Sequence, residues 1–271
     1  MSTSIDGLQN FRDTGGTPLV AGGETRSGVL YRSEALSTLT PTGVAELAAT
    51  GIGVIADFRT DMERRMAPDV LPDSRPFHVV QLPLLEGAMT GFAQSAMQAK
   101  DPDAAKAAIG AALAQLPSLG DLYVSMLEHG AGSFAELARL VANGAAVPVG
   151  TTAGDDHSAV LVHCTAGKDR TGVAVALLLD AVGAERAAVV SDYASSAAHL
   201  EGPWADRMRG MITAMGVPLT PELDALITDT PASAIEQALA WTDAHGGAAA
   251  YLQSGGLADT ELEALRARLA G

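Results

Sequence analysis

One cysteine, three lysines and eleven aromatic side chains (five Phe, four Tyr, two Trp) are all that this chain of 271 residues holds of those types, and each scarcity excludes something. The single thiol, Cys164, can close no internal disulfide and has no second cysteine to resolve an oxidised sulfur, which removes disulfide scaffolds and dithiol relays. No apolar run approaches the ~20 residues of a membrane span; Val173 to Leu179 is among the longest. The opening Met1-Ser2-Thr3-Ser4-Ile5-Asp6 lacks a basic stretch leading into an apolar one, so no secretory signal is expected and a cytoplasmic location follows. Basic residues are outnumbered 17 to 32 by acidic ones, a net charge of −15, and so acidic a surface repels nucleic acid and anionic lipid at long range. Neither a nucleic-acid partner nor integral membrane association is expected.

What remains reads as a globular α/β protein: 48% hydrophobic, 18% charged, and long enough to bury a sizeable core as a single domain over 1–271. Val29 to Arg32, Ile52 to Phe58 and His78 to Leu82 are strand candidates. Pro41 to about Thr50 and the segment after Thr60 are helix candidates, with Asp61 and Glu63 in the first turn of the latter. Strands alternating with helices imply crossover units, a mostly parallel central sheet flanked by helices, and a site at the carboxyl ends of the strands. Helical spacing continues at 103–114, 119–129, 185–200, 203–215, 221–226 and 247–271, with Asp259 or Thr260 the expected N-cap of the last helix. No internal repeat is visible.

The richest stretch is His163-Cys164-Thr165-Ala166-Gly167-Lys168-Asp169-Arg170-Thr171-Gly172. It places a thiol and an arginine six positions apart where the apolar run 158–162 gives way to a helix-like run. A loop that opens a helix presents unpaired N–H groups and the positive end of the dipole, a natural seat for a dianion. The same field favours a thiolate at Cys164, and Arg170 offers a planar fork that fits two phosphate oxygens. The plainer reading, a buried structural cysteine ahead of a core helix, does not account for Gly167, Lys168 and Thr171-Gly172 falling in the same ten residues. His163 is read as orienting the loop by hydrogen bonding. Thr165, Ala166, Gly167, Lys168 and Thr171 are the candidate phosphate-binding residues, Thr171 also as a donor to the sulfur. Asp169 can protonate the leaving oxygen if it stays near the scissile bond; Glu86 and Asp57 are its rivals. Arg12 and Arg59, with Arg32, either converge on a basic pocket or pair with carboxylates such as Asp13, Glu34 and Asp57 as braces, the second being favoured.

At these residues the chain resembles the family of bacterial tyrosine and lipid phosphatases typified by mycobacterial protein tyrosine phosphatase B. The likeness also runs through Asn10-Phe11-Arg12-Asp13, Tyr31-Arg32-Ser33, Asp57-Phe58-Arg59, Ser191-Asp192-Tyr193 and the closing segment from Tyr251-Leu252, in that family's order. The resemblance implies a cysteine-phosphatase fold and a Cys-phosphate intermediate formed without metal or other cofactor. It implies substrates among phosphotyrosine, phosphoserine or phosphothreonine and phosphoinositides, with inorganic phosphate as product and inhibitor. It points to position 169 as the acid, to Lys168 as extra charge for highly phosphorylated headgroups, and to a helical lid within 203–245. It also leaves open export without a cleavable leader. Thr165, where the type member is aromatic, and an insertion-like stretch at 147–156 depart from the pattern. A rhodanese-like sulfurtransferase, an arsenate reductase and a phosphate-binding protein without turnover are the alternatives. The first has no need of Asp169-Arg170-Thr171, the second relays through further cysteines, and the third is disfavoured by the intact Cys164, Asp169 and Arg170.

Overall fold

Residues 4–84, 117–144, 157–214 and 219–271 are described by the computed structural model; Glu86, the helix expected at 103–114 and the insertion-like 147–156 lie outside them. Among the described residues five strands form one sheet in the order β1-β2-β5-β3-β4, with β1 Arg12–Asp13, β2 Leu30–Ser33, β3 Ile52–Asp57, β4 His78–Gln81 and β5 Ala159–His163. β2, β5, β3 and β4 run parallel, and the two-residue β1, which the sequence reading did not foresee, adds an antiparallel edge. Every residue of β2, β3 and β5 is buried, as parallel strands covered on both faces require.

Alternation along these strands divides the interior in two. Leu30, Val54, Ala56, Val160 and Val162 point into the larger core; Tyr31, Ile55, Leu161 and Ala159 point into a smaller one with Ile5, Leu8, Phe11 and Leu47. The β3–β5 register slips between Ile52 and Val54, where Gly53 passes so close to His157 that a Cβ would lie 1.8 Å from its carbonyl oxygen. The slip lets Ile52 and Ile55, three apart, serve the same core.

The smaller core is closed by α1 Pro41–Ala48, which begins at the N-cap Thr40. α2 Asp61–Met66 follows β3. The larger core is built from α3 Leu119–Asn143, α4 Asp169–Ala181, α5 Arg186–Leu200, α8 Ala232–Ala244, α9 Gly247–Ser254 and α10 Asp259–Leu269. Between α5 and α8 lie α6 Pro203–Ala214 and α7 Pro221–Thr228. α4 carries Val173 to Leu179 and buries 11 of its 13 residues, so it is an interior helix apolar on all sides; Gly183, at φ 88°, takes the left-handed position just past its end.

Two expectations need correction. The helix expected at 119–129 continues to Asn143 as α3, because Gly130 packs against Leu84 and Phe134 and is held by tertiary contact. The N-cap of α10 is Ala258, with Asp259 and Thr260 already in the first turn; the Glu261 carboxylate reaches back to accept from the Ala258 amide (2.9 Å), replacing a capping side chain.

Candidate active site

Cys164 follows the strand β5 and Asp169 begins α4, so residues 164–168 form a loop at the carboxyl edge of the sheet, between β2 and β3. Three carbonyls of this loop are pulled outward. Thr165 O accepts from the Ala35 amide (3.1 Å), Ala166 O from Asn10 Nδ2 (3.1 Å), and Gly167 O from both Asn10 Nδ2 (3.0 Å) and Arg32 Nη2 (2.7 Å). In a planar trans peptide the next N–H points the opposite way, so the amides of Ala166, Gly167 and Lys168 face the concave side. Gly167 is required twice over: its φ is 65°, and a Cβ would sit 2.1 Å from Ser33 O.

Arg32 is fully buried and Arg12 partly so, and their shared partner is Asp192 on α5: Arg12 Nε to Asp192 Oδ1 is 2.8 Å and Arg32 Nη1 to Asp192 Oδ2 is 2.6 Å. Two guanidiniums on one carboxylate hold Asp192 below its ordinary range in spite of its burial. The bracing expected of these arginines is present, with a distant aspartate as the acid. Asp13 instead accepts from the amides of Gly15 and Gly28, and Glu34 pairs with Arg207 of α6. Arg59 is clamped by Asp57 (2.9 Å) and Asp69 (2.6 Å), and Asp57 is wholly buried, held below its usual range against the upward push of burial by Arg59.

Arg170 is buried, and its fork is met by Glu63 of α2: Nη1 to Oε2 is 2.9 Å and Nη2 to Oε1 is 2.6 Å, with Phe58 O a further acceptor at 3.2 Å. Thr165 Oγ1 donates to the same carboxylate at 2.6 Å. Burial pushes Glu63 up, but the hydrogen bonds and charge of Arg170 more than reverse this and hold it down to about 2. The sequence marks Glu63 only as a first-turn acid and Asn10 only as part of Asn10-Phe11-Arg12-Asp13, neither with a role at the site. The signal for Glu63 was its place in a capping box, Thr60-x-x-Glu63, in which the carboxylate turns back towards the Thr60 amide (2.8 Å) and so towards the end of β3.

Asp169 lies at the cavity floor with Thr165 and Ala166; its Oδ1 accepts from the Tyr123 hydroxyl (2.6 Å) and stands 3.5 Å from Lys168 Nζ. The cavity, about 220 Å³, is walled by Leu119, Leu122, Met126 of α3 and by Trp204, Met208, Leu223 of α6 and α7, so the segment expected as a lid lies across the loop. Lys168 is turned from its expected role. Buried to 1% exposure, its ammonium donates to Leu226 O (2.8 Å), Ile227 O (3.2 Å) and Asp229 O (3.0 Å), the orphan carbonyls at the end of α7. Thr171 Oγ1 is buried and, among the described residues, without a hydrogen-bond partner, so it does not bond the sulfur here. His163, fully buried, faces the Cys164 carbonyl through Nδ1 (3.2 Å). Asp57, Asp69 and His163 are close enough for a cation, but Arg59, bridging the two carboxylates, already supplies the positive charge.

A mostly parallel sheet flanked by helices, with the Cys164 loop between β5 and α4, is the cysteine-phosphatase fold. The model of the tyrosine phosphatase family matches residues 3–271. The chain therefore belongs to the tyrosine phosphatase family. It is similar to a tyrosine-protein phosphatase of Nostoc commune, 31% identical over 88% of this chain and 73% of that protein. It is likewise similar to the triple specificity protein phosphatase PtpB of Mycobacterium tuberculosis, 32% identical over 71% of this chain and 68% of the other. No helix among the described residues is long and apolar enough to cross a membrane.

Proposed function

We propose that the chain is a cysteine-dependent phosphatase that cleaves phosphate monoesters through a phosphoenzyme on Cys164. The observation that carries this is the loop itself: with three carbonyls tied outward, its amides converge on the space above Cys164, at the start of α4. A phosphoryl group seated there meets donors fixed before it arrives, which is what stabilises charge as it develops. Cys164 Sγ attacks phosphorus in line; the P–O bond to the leaving group breaks as S–P forms. Asp169 gives its proton to the departing oxygen. It then takes one from the water that attacks the thiophosphate, releasing inorganic phosphate and the thiolate. Arg170, whose Nη1 and Nη2 both rest on Glu63 before substrate enters, brings its positive charge to the equatorial oxygens.

The apolar wall from α3, α6 and α7 suits the ring of phosphotyrosine. The helices α6 and α7 act as a mobile lid over it, which admits phosphoserine, phosphothreonine and phosphoinositide substrates when raised and then frees Lys168 for their further phosphates. Asp57 is unsuited as the acid, since Arg59 keeps it ionised. The test is acid quench of the wild type during hydrolysis of para-nitrophenyl phosphate, which should leave phosphate on Cys164. Cys164→Ser should bind inorganic phosphate without turnover. Residual activity within about tenfold of wild type would end the covalent reading, because losing a nucleophile costs far more. Thiocyanate formed from thiosulfate would point to sulfur transfer.

A further inference from the structure

The Ser191-Asp192-Tyr193 segment of α5 is only half explained by the site described so far. Asp192 braces the arginines behind the loop, while the Tyr193 hydroxyl stands 2.7 Å from that of Tyr123 on α3, which in turn is 2.6 Å from Asp169 Oδ1. Both tyrosines are 0% exposed, and their rings meet edge to face, 5.8 Å apart at 85°. We propose that Tyr123 and Tyr193 are positioning residues for Asp169, a hydrogen-bonded pair that keeps its carboxyl group aimed at the cavity in both of its protonation states. The proposal rests on the reading of Asp169 as the acid and then the base of the reaction.

The direction of the chain follows from proton counting. A carboxylate only accepts, so when Asp169 is ionised Tyr123 gives it its single proton and must accept one from Tyr193. When Asp169 is protonated on Oδ2, Oδ1 is a carbonyl oxygen and still accepts from Tyr123, so the contact survives both states with no movement of heavy atoms. The buried Tyr123 oxygen needs a donor of its own, and the Tyr193 hydroxyl supplies it. Burial, and then the neighbouring Asp169 charge, push Tyr123 well above its ordinary range, and burial does the same to Tyr193, so both remain neutral donors. With Oδ1 so held, proton exchange with substrate falls to Oδ2. Among the described residues, Lys168 Nζ also stands near the carboxyl, with its protons committed to the end of α7, and Arg32 acts on Tyr193.

Two buried tyrosines could meet merely because each hydroxyl needs a partner. Leaving-group chemistry separates the two cases. Tyr123→Phe, Tyr193→Phe, Asp169→Asn and the double variant Tyr123→Phe with Asp169→Asn are assayed with para-nitrophenyl phosphate, whose leaving group scarcely needs a proton, and with phenyl phosphate, whose leaving group does. Asp169→Asn should slow phenyl phosphate ~10²–10⁴-fold more than para-nitrophenyl phosphate. Tyr123→Phe should lower kcat for phenyl phosphate by about tenfold more than for para-nitrophenyl phosphate, the size of one hydrogen bond to a charged group, with KM unchanged. Tyr193→Phe, which keeps the ring and leaves the contact with Asp169, should show a smaller loss of the same selectivity and stands in if Tyr123→Phe folds poorly. In the Asp169→Asn background the selective loss should vanish. Equal losses on both substrates in both tyrosine variants, or a selective loss that survives in the double variant, would overturn the proposal alone. Equal losses in Asp169→Asn would overturn the assignment of the acid, and the proposal with it.

Discussion

Replacing Glu63 by glutamine is the sharpest test of how the arginine fork is held. The carboxylate takes protons from Arg170 Nη1 (2.9 Å) and Nη2 (2.6 Å), Thr165 Oγ1 (2.6 Å), the Thr60 amide (2.8 Å) and Thr60 Oγ1 (2.9 Å). An amide has only one oxygen, so in either orientation of the new side chain its NH₂ opposes an Arg170 N–H. Removing one partner of a buried ion pair costs about 3–5 kcal/mol, but the Glu63 side chain is 31% exposed, and solvent reduces this to about 2–3 kcal/mol. For a chain of this size that is a fall in Tm of about 5–10 °C at neutral pH, with a lower kcat because the guanidinium is no longer held flat. The pH dependence has a definite sign. Glu63 is depressed from 4.5 to about 2 in the folded state, so its contribution is complete above the unfolded value and is lost as pH falls towards 2. Melting curves by circular dichroism should show a constant gap between wild type and Glu63→Gln from pH 6 to 8 that narrows below about pH 5. A gap under ~1 °C at pH 7, or one that widens on acidification, would refute the reasoning.

Gly167→Ala should lose at least about a hundredfold in kcat and destabilise the fold, since a Cβ 2.1 Å from Ser33 O must displace the loop; activity near wild type would mean that the loop is not held against β2. Lys168→Met should raise hydrogen exchange at least ~tenfold across 221–229 while leaving α8 to α10 unchanged, because the orphan carbonyls of α7 lose their donors. Unaltered exchange there would show that the ammonium does not hold α7 down.

The regular frame was legible because its signals are local. β3, β4, α1, α2 and α4 follow from apolar runs, Pro41 and the acidic first turn after Thr60. What escaped depends on long-range partners. Asn10 lies 156 residues from the Ala166 carbonyl that it holds, and Asp192 lies 180 residues from Arg12. Nothing in the neighbourhood of either announces the contact. Charge alone does not show where Lys168 spends its protons: a lysine beside such a loop reads as a ligand for anions, and only the fold brings the end of α7 within its reach. The same holds for Thr171, whose place beside Arg170 does not decide where its hydroxyl turns.

A chain of net charge −15 has to attract a dianion, and the way the arginines are shared explains how. Arg170 with Glu63 is neutral as a pair, Arg59 with Asp57 and Asp69 is a negative group, and Lys168 stands beside Asp169. Behind the loop, however, Arg12 and Arg32 divide one aspartate between them, leaving one positive charge in excess where water is largely excluded. That excess is visible in Arg12 itself, which burial and then the neighbouring Arg32 push down to about 10. Arg32 passes the charge on by donating to Gly167 O, which polarises the Gly167–Lys168 peptide and makes its inward N–H a stronger donor. The attraction is therefore built into the floor of the site, short in range and shielded from the acidic exterior, and selects a phosphate already at the loop without drawing polyanions to the surface at large.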